Sequence, residues 1–394
     1  VKVGFKKLTG TSRRSQPVIN ALRNDHVATI KDAVAQGLNV DQVLQRERWE
    51  RPATLLAFAA EANATRVVRF LIAAGADVGK GKHYPPLLAA VQNGGFETAR
   101  ALLGAGADPN VGTRFNGAPS PRTDRDSGWT PLMSAAVNGD VRLVKLLLKN
   151  GAKPNLQTQL GRSALSLAVE GHHHAVVRLL LKAGGRIAGA SLLDACREGD
   201  ARMVRLLCRA RANVNAVAHS DRGELDHTPL EEVLSALTMG RRSATDKRRY
   251  FQTVRELLRA GARINQPTRW RSPLYIAAVG GDLEIVKLLL REGADPNQAV
   301  SQLHDERGRR ALHAAALGGF VEIVRTLLVA GAEPATRDEK GRTALDLARG
   351  GEKPVEIVAA ELSMHSGAKT QADFDALLAE WQERCTEVGH VLGG

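Results

Sequence analysis

Residues 128–155 read Gly128-Trp129-Thr130-Pro131-Leu132-Met133-Ser134-Ala135-Ala136-Val137-Asn138-Gly139-Asp140-Val141-Arg142-Leu143-Val144-Lys145-Leu146-Leu147-Leu148-Lys149-Asn150-Gly151-Ala152-Lys153-Pro154-Asn155. This stretch holds the punctuation of two short helices. Thr130 can cap a helix N-terminus, and Pro131 suits the first helical position, where its missing N–H would be unpaired anyway. The Ala pair that follows allows close approach of a neighbouring helix. Gly139-Asp140 breaks the chain before a second, Leu-rich helix, and Gly151 ends that helix in a left-handed conformation.

The pattern recurs along the chain. Gly-Ala plus a polar residue stands at 75–77, 106–108, 151–153, 261–263, 293–295 and 331–333, with degenerate copies at 184–186 and 211–213. The residues opening each first helix fall at 54, 85, 130, 163, 190, 228, 272, 310 and 343, in steps of 31, 45, 33, 27, 38, 44, 38 and 33. A unit near 33 residues with insertions accounts for all of them. Composition agrees: Ala, Gly, Leu and Arg dominate, and aromatics are only 4% of 394 residues. Such a chain exceeds what one core supports, leaving several domains or a repeat array.

On these residues the chain resembles the ankyrin family, whose repeat is a β-turn plus two antiparallel helices. A less regular first copy, Val18 to Asp41, lacks the Thr-Pro start and carries Asp25 where the family has Gly. The resemblance implies an all-α solenoid of about ten helix-turn-helix repeats with short β-hairpin fingers and a C-terminal capping helix. The expected organisation is a basic segment at 1–16, repeats over 17–362, and a linker with a capping helix at 363–394. Insertions fall at 111–127, 216–227, 240–249 and 298–307, of which 240–249 reads as an exposed basic loop between the two helices of the seventh repeat. After the linker, Phe374, Leu377, Leu378, Trp381, Cys385, Val388 and Leu392 fall on one helical face, the pattern of a cap over the last repeat.

Catalytic and metal motifs are missing from this sequence. On a helix, successive residues point about 100° apart, so His172-His173-His174 cannot converge on one ion. Gly79-Lys80-Gly81-Lys82 lacks the spacing and the Ser/Thr of a phosphate loop. No HExxH, GxSxG or dinucleotide fingerprint occurs. The three cysteines, 196, 208 and 385, make no disulfide framework or zinc spacing and read as core thiols of a cytoplasmic protein. No apolar run is long enough for a transmembrane segment, and residues 1–10 are basic without an apolar signal region. The sequence points to no enzyme activity and no cofactor.

What remains is binding. In ankyrin proteins the partner usually meets the fingers and the exposed side of the first helices. The resemblance therefore assigns partner contacts to positions just before the first helix (Tyr84, Trp129, Arg162, Arg271, Arg309), to its end (Gln92, Asn93, Asn138, Glu170, Arg197), and to Phe115 in the first insertion. Large aromatics and Arg are hot-spot residue types. The net charge is +13. It is clustered: five basic residues and no acid in 1–16, and Arg241, Arg242, Lys247, Arg248 and Arg249 against Asp246 in the basic loop. That distribution favours a protein partner with an acidic surface. Nucleic acid or an anionic surface is the less favoured alternative, since no nucleic-acid-binding motif accompanies the charge. The composition looks bacterial. Bacterial ankyrin proteins resemble either immunity proteins that neutralise a toxin or host-directed effectors and scaffolds. With no appended effector domain or export signal in view, the expectation is a monomeric inhibitor of the immunity type.

Overall fold

The computed structural model describes residues 16–44, 53–81, 84–113, 128–217, 227–238, 243–265, 271–301, 306–349, 383–384 and 386–393. It divides into two compact units, Val1–Ile187 and Ala188–Gly394.

The first unit is built from helix pairs: α1 (Gln16–Arg23) and α2 (Val27–Ala35), α3 (Leu55–Glu61) and α4 (Thr65–Ala73), α5 (Pro86–Gln92) and α6 (Phe96–Gly104), α7 (Pro131–Val137) and α8 (Val141–Lys149), α9 (Ala164–Glu170) and α10 (His174–Lys182). The first helices stack on one another in sequence order, and so do the second helices. Strands β1 (Val43–Leu44) and β2 (Ala53–Thr54) pair antiparallel between the first two pairs.

The second unit continues the scheme with α11 (Gly189–Arg197) and α12 (Ala201–Arg209), α13 (Pro229–Thr238) and α14 (Ala244–Arg259), α15 (Pro273–Val279) and α16 (Leu283–Arg291), α17 (Ala311–Leu317) and α18 (Val321–Val329), then α19 (Ala344–Arg349). Residues 386–393 are helical, with Val388 fully buried and Glu387 3.7 Å from Arg325.

The helix starts follow the capping logic of the sequence. Thr54, Thr130, Ser163 and Ser272 each accept a hydrogen bond from the backbone N–H three residues on. At Thr228 the cap is reciprocal: Glu231 N–H donates to the Thr228 hydroxyl, while the buried Glu231 carboxylate accepts from Thr228 N–H at 2.8 Å. The Ala pairs 59–60, 135–136 and 277–278 are buried, which lets adjacent helices approach closely.

Two expectations need correction. The sixth repeat opens earlier than residue 190: Ala188 occupies the cap position without a side-chain hydrogen bond, and α11 starts at Gly189. The basic stretch 240–249 is not a loop throughout. Arg241 and Arg242 lie outside the described residues, but Ser243 and Asp246 form a capping box, and Lys247, Arg248 and Arg249 ride on the opening turns of α14. The cap lengthens α14 to 16 residues, against nine in α12 or α16.

Each second helix ends in a residue with positive φ. Glycine holds that position at 37, 75, 106, 151, 184, 261, 293 and 331, but Arg211 takes it in the sixth repeat with φ 64. A side chain there costs about 1–2 kcal/mol, partly offset because glycine is more flexible when unfolded. Arg211→Gly should therefore stabilise the protein by about 0.5–1 kcal/mol, read as a higher urea midpoint at constant slope.

Beyond the helices, asparagines four residues past those turns tie one repeat to the next. Asn155 donates from Nδ2 to Gly184 O at 2.9 Å and accepts at Oδ1 from Arg186 N–H at 2.7 Å. Asn110 makes the same pair with Gly151 and Lys153, Asn215 with Gly261 and Arg263, Asn265 with Gly293 and Asp295, and Asn297 with Gly331 and Glu333. Asn155→Ala removes a donor and an acceptor at once and should cost about 1–2 kcal/mol in chemical denaturation. Asn155→Asp, which keeps the acceptor, should cost less.

Candidate functional site

The finger side of the first unit is organised around Trp129. Thr113 and Trp129 close the base of the 111–127 insertion, with Thr113 N–H donating to Trp129 O at 3.1 Å and Gly128 N–H donating to Thr113 O at 2.9 Å. The half-buried Trp129 ring is held from two sides. Its Nε1–H donates to Ser134 Oγ at 2.7 Å, and the Arg162 guanidinium lies 5.8 Å from the ring centroid. Arg162 in turn reaches along α9 to Glu170, at 2.7 Å. Three of the residues singled out from the sequence, Trp129, Arg162 and Glu170, thus form one connected set. A planar aromatic, a planar cation and a carboxylate are presented together in fixed orientation.

Not every expected contact residue is available in that way. Tyr84 is buried, at 8% exposure, and is corrected from surface anchor to packing residue. Gln92, Asn93 and Asn138 are exposed, yet they stitch neighbouring repeats: Asn138 Nδ2 donates to Gln92 O at 3.3 Å, and Asn63 Nδ2 donates to Asn93 O at 2.8 Å. Phe115 lies outside the described residues.

In the second unit the equivalent positions form a charged seam. Arg271 binds Glu306 through two hydrogen bonds of 2.8 Å and sits 5.9 Å from the Tyr275 ring centroid. The side chain of Arg309 is only 12% exposed and lies 3.6 Å from Asp338, which Arg342 also grips at 2.9 Å. Arg309 and Arg271 therefore serve the seam rather than standing out as free surface. Arg197 is more exposed and pairs with Glu232 at 2.8 Å and Asp194 at 3.3 Å. Lys247 and Arg248 are exposed on α14, and Arg249 donates to Glu198 O at 2.7 Å.

Sequence reasoning missed Ser134, Glu306 and Asp338. A signal existed for the two acids. Each stands four residues before the residue that precedes or opens a first helix, Arg310 or Arg342, and a series of half-buried arginines at that place demands counter-charge.

The titrating groups report burial more than chemistry. Burial pushes the Cys196 thiol far up, and it pushes Cys208 up to about 11, with Glu256 adding to the shift. Neither has the thiolate character of a nucleophile. The hydrogen bonds from Arg205 lead the causes that hold Glu256 below the usual carboxylate range, against burial, with Arg259 assisting. For Asp338, burial pulls upward, but the backbone and side chain of Arg342, with Arg309, bring the carboxyl below its ordinary value. The histidine run does not converge. His172 adopts φ 55 in the turn, His173 lies against Gly139 and donates from Nε2 to Val137 O at 2.7 Å, and His174 opens α10. Among the described residues, no group of three His, Cys, Asp or Glu side chains is placed to hold a metal ion. No described helix is long and apolar enough to cross a membrane.

Helix pairs stacked in sequence order within each unit define a helical-repeat scaffold. Comparison with known proteins names it. Ankyrin-repeat models match residues 18–113, 116–190 and 132–218, and a single-repeat model matches 270–300 and 307–339. The chain belongs to the ankyrin-repeat family, whose repeats are protein–protein interaction modules. No curated protein matches it. Among solved structures it is similar to the crystal structure of the human ASB11 ankyrin repeat domain, with 26% identity, a TM-score of 0.44, and coverage of 63% of this chain and 97% of that one.

The fully buried His313 carries a pH prediction. Burial depresses its pKa most strongly, and Arg310 adds to that. The backbones of Arg342 and Thr336, with Asp338, pull the other way. The folded state therefore keeps His313 neutral while the unfolded chain takes up a proton near pH 6.5. The contribution is fully present above about pH 6.5 and is lost as pH falls towards the depressed folded value. Urea midpoints should drop from pH 7.5 to 5.5, and His313→Gln should flatten that slope while lowering stability throughout.

Proposed function

We propose that the chain binds an acidic-surfaced protein partner through the finger side of its first unit, and that binding inhibits or sequesters the partner, as an immunity protein does a toxin. The observation that carries the reading is the set Trp129, Arg162 and Glu170. Trp129 is locked by its bond to Ser134 and by the Arg162 guanidinium, yet remains partly exposed. An aromatic and an Arg that are already ordered lose little side-chain freedom on docking, and these are the residue types that dominate interface energetics. The insertion at 111–127 directly precedes this set in the sequence. The inhibitor role is supported by the Ala-, Arg- and Leu-rich composition, which resembles bacterial ankyrin arrays. Free Cys196 and Cys208 fit a reducing cytoplasmic setting.

The test needs the native partner, captured by cross-linking in the source cell. Trp129→Ala should weaken its binding by about 2 kcal/mol or more, roughly thirtyfold in Kd. The melting temperature should fall modestly, through loss of the Ser134 hydrogen bond, the Arg162 contact and the half of the ring that is buried. Ser134→Ala keeps the ring but frees it, and should give a smaller loss. Wild-type affinity in a folded Trp129→Ala protein would remove the finger side from consideration.

A further inference from the structure

The second helices carry a cation at one fixed place: six residues before each positive-φ turn stand Lys31, Arg69, Arg100, Lys145 and Arg178 in the first unit, and Arg205, Arg255, Lys287 and Arg325 in the second. For five of the other seven the protein supplies a carboxylate partner, and Lys31 and Arg255 lie on helices with acids of their own, Asp32 on α2 and Asp246 and Glu256 on α14. Glu97 meets both Arg69 and Arg100, Glu256 meets Arg205 and Arg259, Glu284 meets Lys287, and Glu322 meets Arg325. On α8 and α10 it does not. Neither helix contains an acid. Lys145, Lys149, Arg178 and Lys182 are all exposed, and no carboxylate among the described residues pairs with them.

The two helices pack side by side. Lys145 and Lys149 are four residues apart, as are Arg178 and Lys182, so the charges repeat about every 6 Å along each helix and about 8–10 Å across. Like charges at this spacing destabilise a helix slightly; the helix dipole favours Lys149 and Lys182 in the last turns, but Lys145 and Arg178 lie further from the helix ends. Leu148 and Leu181 stand three residues after Lys145 and Arg178, hence beside them on the same side, and are only half-buried.

We infer that the outer face of α8 and α10 is a second docking surface, whose occupant is an acidic amphipathic helix of a protein partner. Carboxylates at four-residue intervals match the cation spacing along each helix. Apolar residues on the same face would cover Leu148 and Leu181, which a phosphodiester backbone has no group to do. This face is distinct from the Trp129 site and rests on the protein-binding reading only in taking a protein as occupant.

The experiment uses the full chain and a fluorescent 21-residue peptide helix carrying Glu at i and i+4 and Leu at i+3, with a 21-nucleotide single-stranded DNA as competing probe. One variant combines Lys145→Gln, Lys149→Gln, Arg178→Gln and Lys182→Gln. A control of equal net charge combines Arg69→Gln, Arg100→Gln, Lys287→Gln and Arg325→Gln. Both are checked for wild-type melting. The first variant should weaken peptide binding by at least about tenfold, the sum expected of four exposed pairs, and reduce its salt dependence. The control should change it less than about twofold. Trp129→Ala should leave peptide binding unchanged, so that loss of the finger-side site and loss of this one are read separately. Equal losses in variant and control would mean bulk charge alone, and absence of peptide binding would remove the surface. Tighter binding of DNA, abolished by the first variant, would reassign it to nucleic acid. Any of the three overturns the inference.

Discussion

Asn155 donates to one backbone carbonyl of the following repeat and accepts from an N–H two residues further on. The equivalent bond at Asn110, Asn215, Asn265 and Asn297 sets the register between neighbouring repeats. Apolar stacking alone would not do so. The Ala and Leu faces bury area without direction and would tolerate sliding, whereas a two-way hydrogen bond to a backbone turn has one geometry. The turn it grips is the positive-φ end of a second helix, so the clasp exists only where that helix has stopped at the right residue. With register fixed, Arg162 meets Trp129, Arg271 meets Glu306 and Arg309 meets Asp338 across neighbouring repeats.

That placement decides the fate of the finger-side charges. In the second unit Asp338 is nearly buried, and isolated it would be expensive to ionise. Arg342 and Arg309 converge on it instead. Arg271 and Glu306 repeat the arrangement with two parallel bonds, the geometry in which guanidinium and carboxylate interact most strongly. These pairs lock neighbouring fingers rather than advertise themselves to a partner. The first unit differs because Trp129 replaces arginine in the series, so its Arg162 stacks on a ring and leaves a mixed aromatic and charged surface.

How much of this was legible beforehand follows from the range over which each feature is decided. Helix starts at Thr54, Thr130 and Ser272, and helix ends at the glycines, depend on residues within one turn, and the sequence reading located them. The start of α11 was misplaced because Ala188 offers no capping side chain to mark it. The opening of α14 at Ala244 is set by the Ser243–Asp246 capping box, a local signal that the five basic residues around it obscure. Side-chain destinations were the least accessible. Whether Tyr84 is buried, or Arg309 paired, is settled by residues tens of positions away. The pairing of Trp129 with Ser134 joins the residue before the α7 cap to the first turn of that helix, yet a Trp–Ser spacing of five carries no general meaning in a sequence.

The closed base of the first insertion has a consequence for inheritance. Backbone hydrogen bonds join Thr113 to Gly128 and Trp129 on the two sides of residues 114–127. Lengthening a connection whose two ends are held in this way costs only about 0.6 kcal/mol for each doubling of its length. Mutations there can lengthen, shorten or rewrite the excursion while the flanking repeats stay folded. A lineage under pressure from a changing partner could alter what it recognises at that place almost independently of the scaffold, much as a handle keeps its grip while the blade is exchanged.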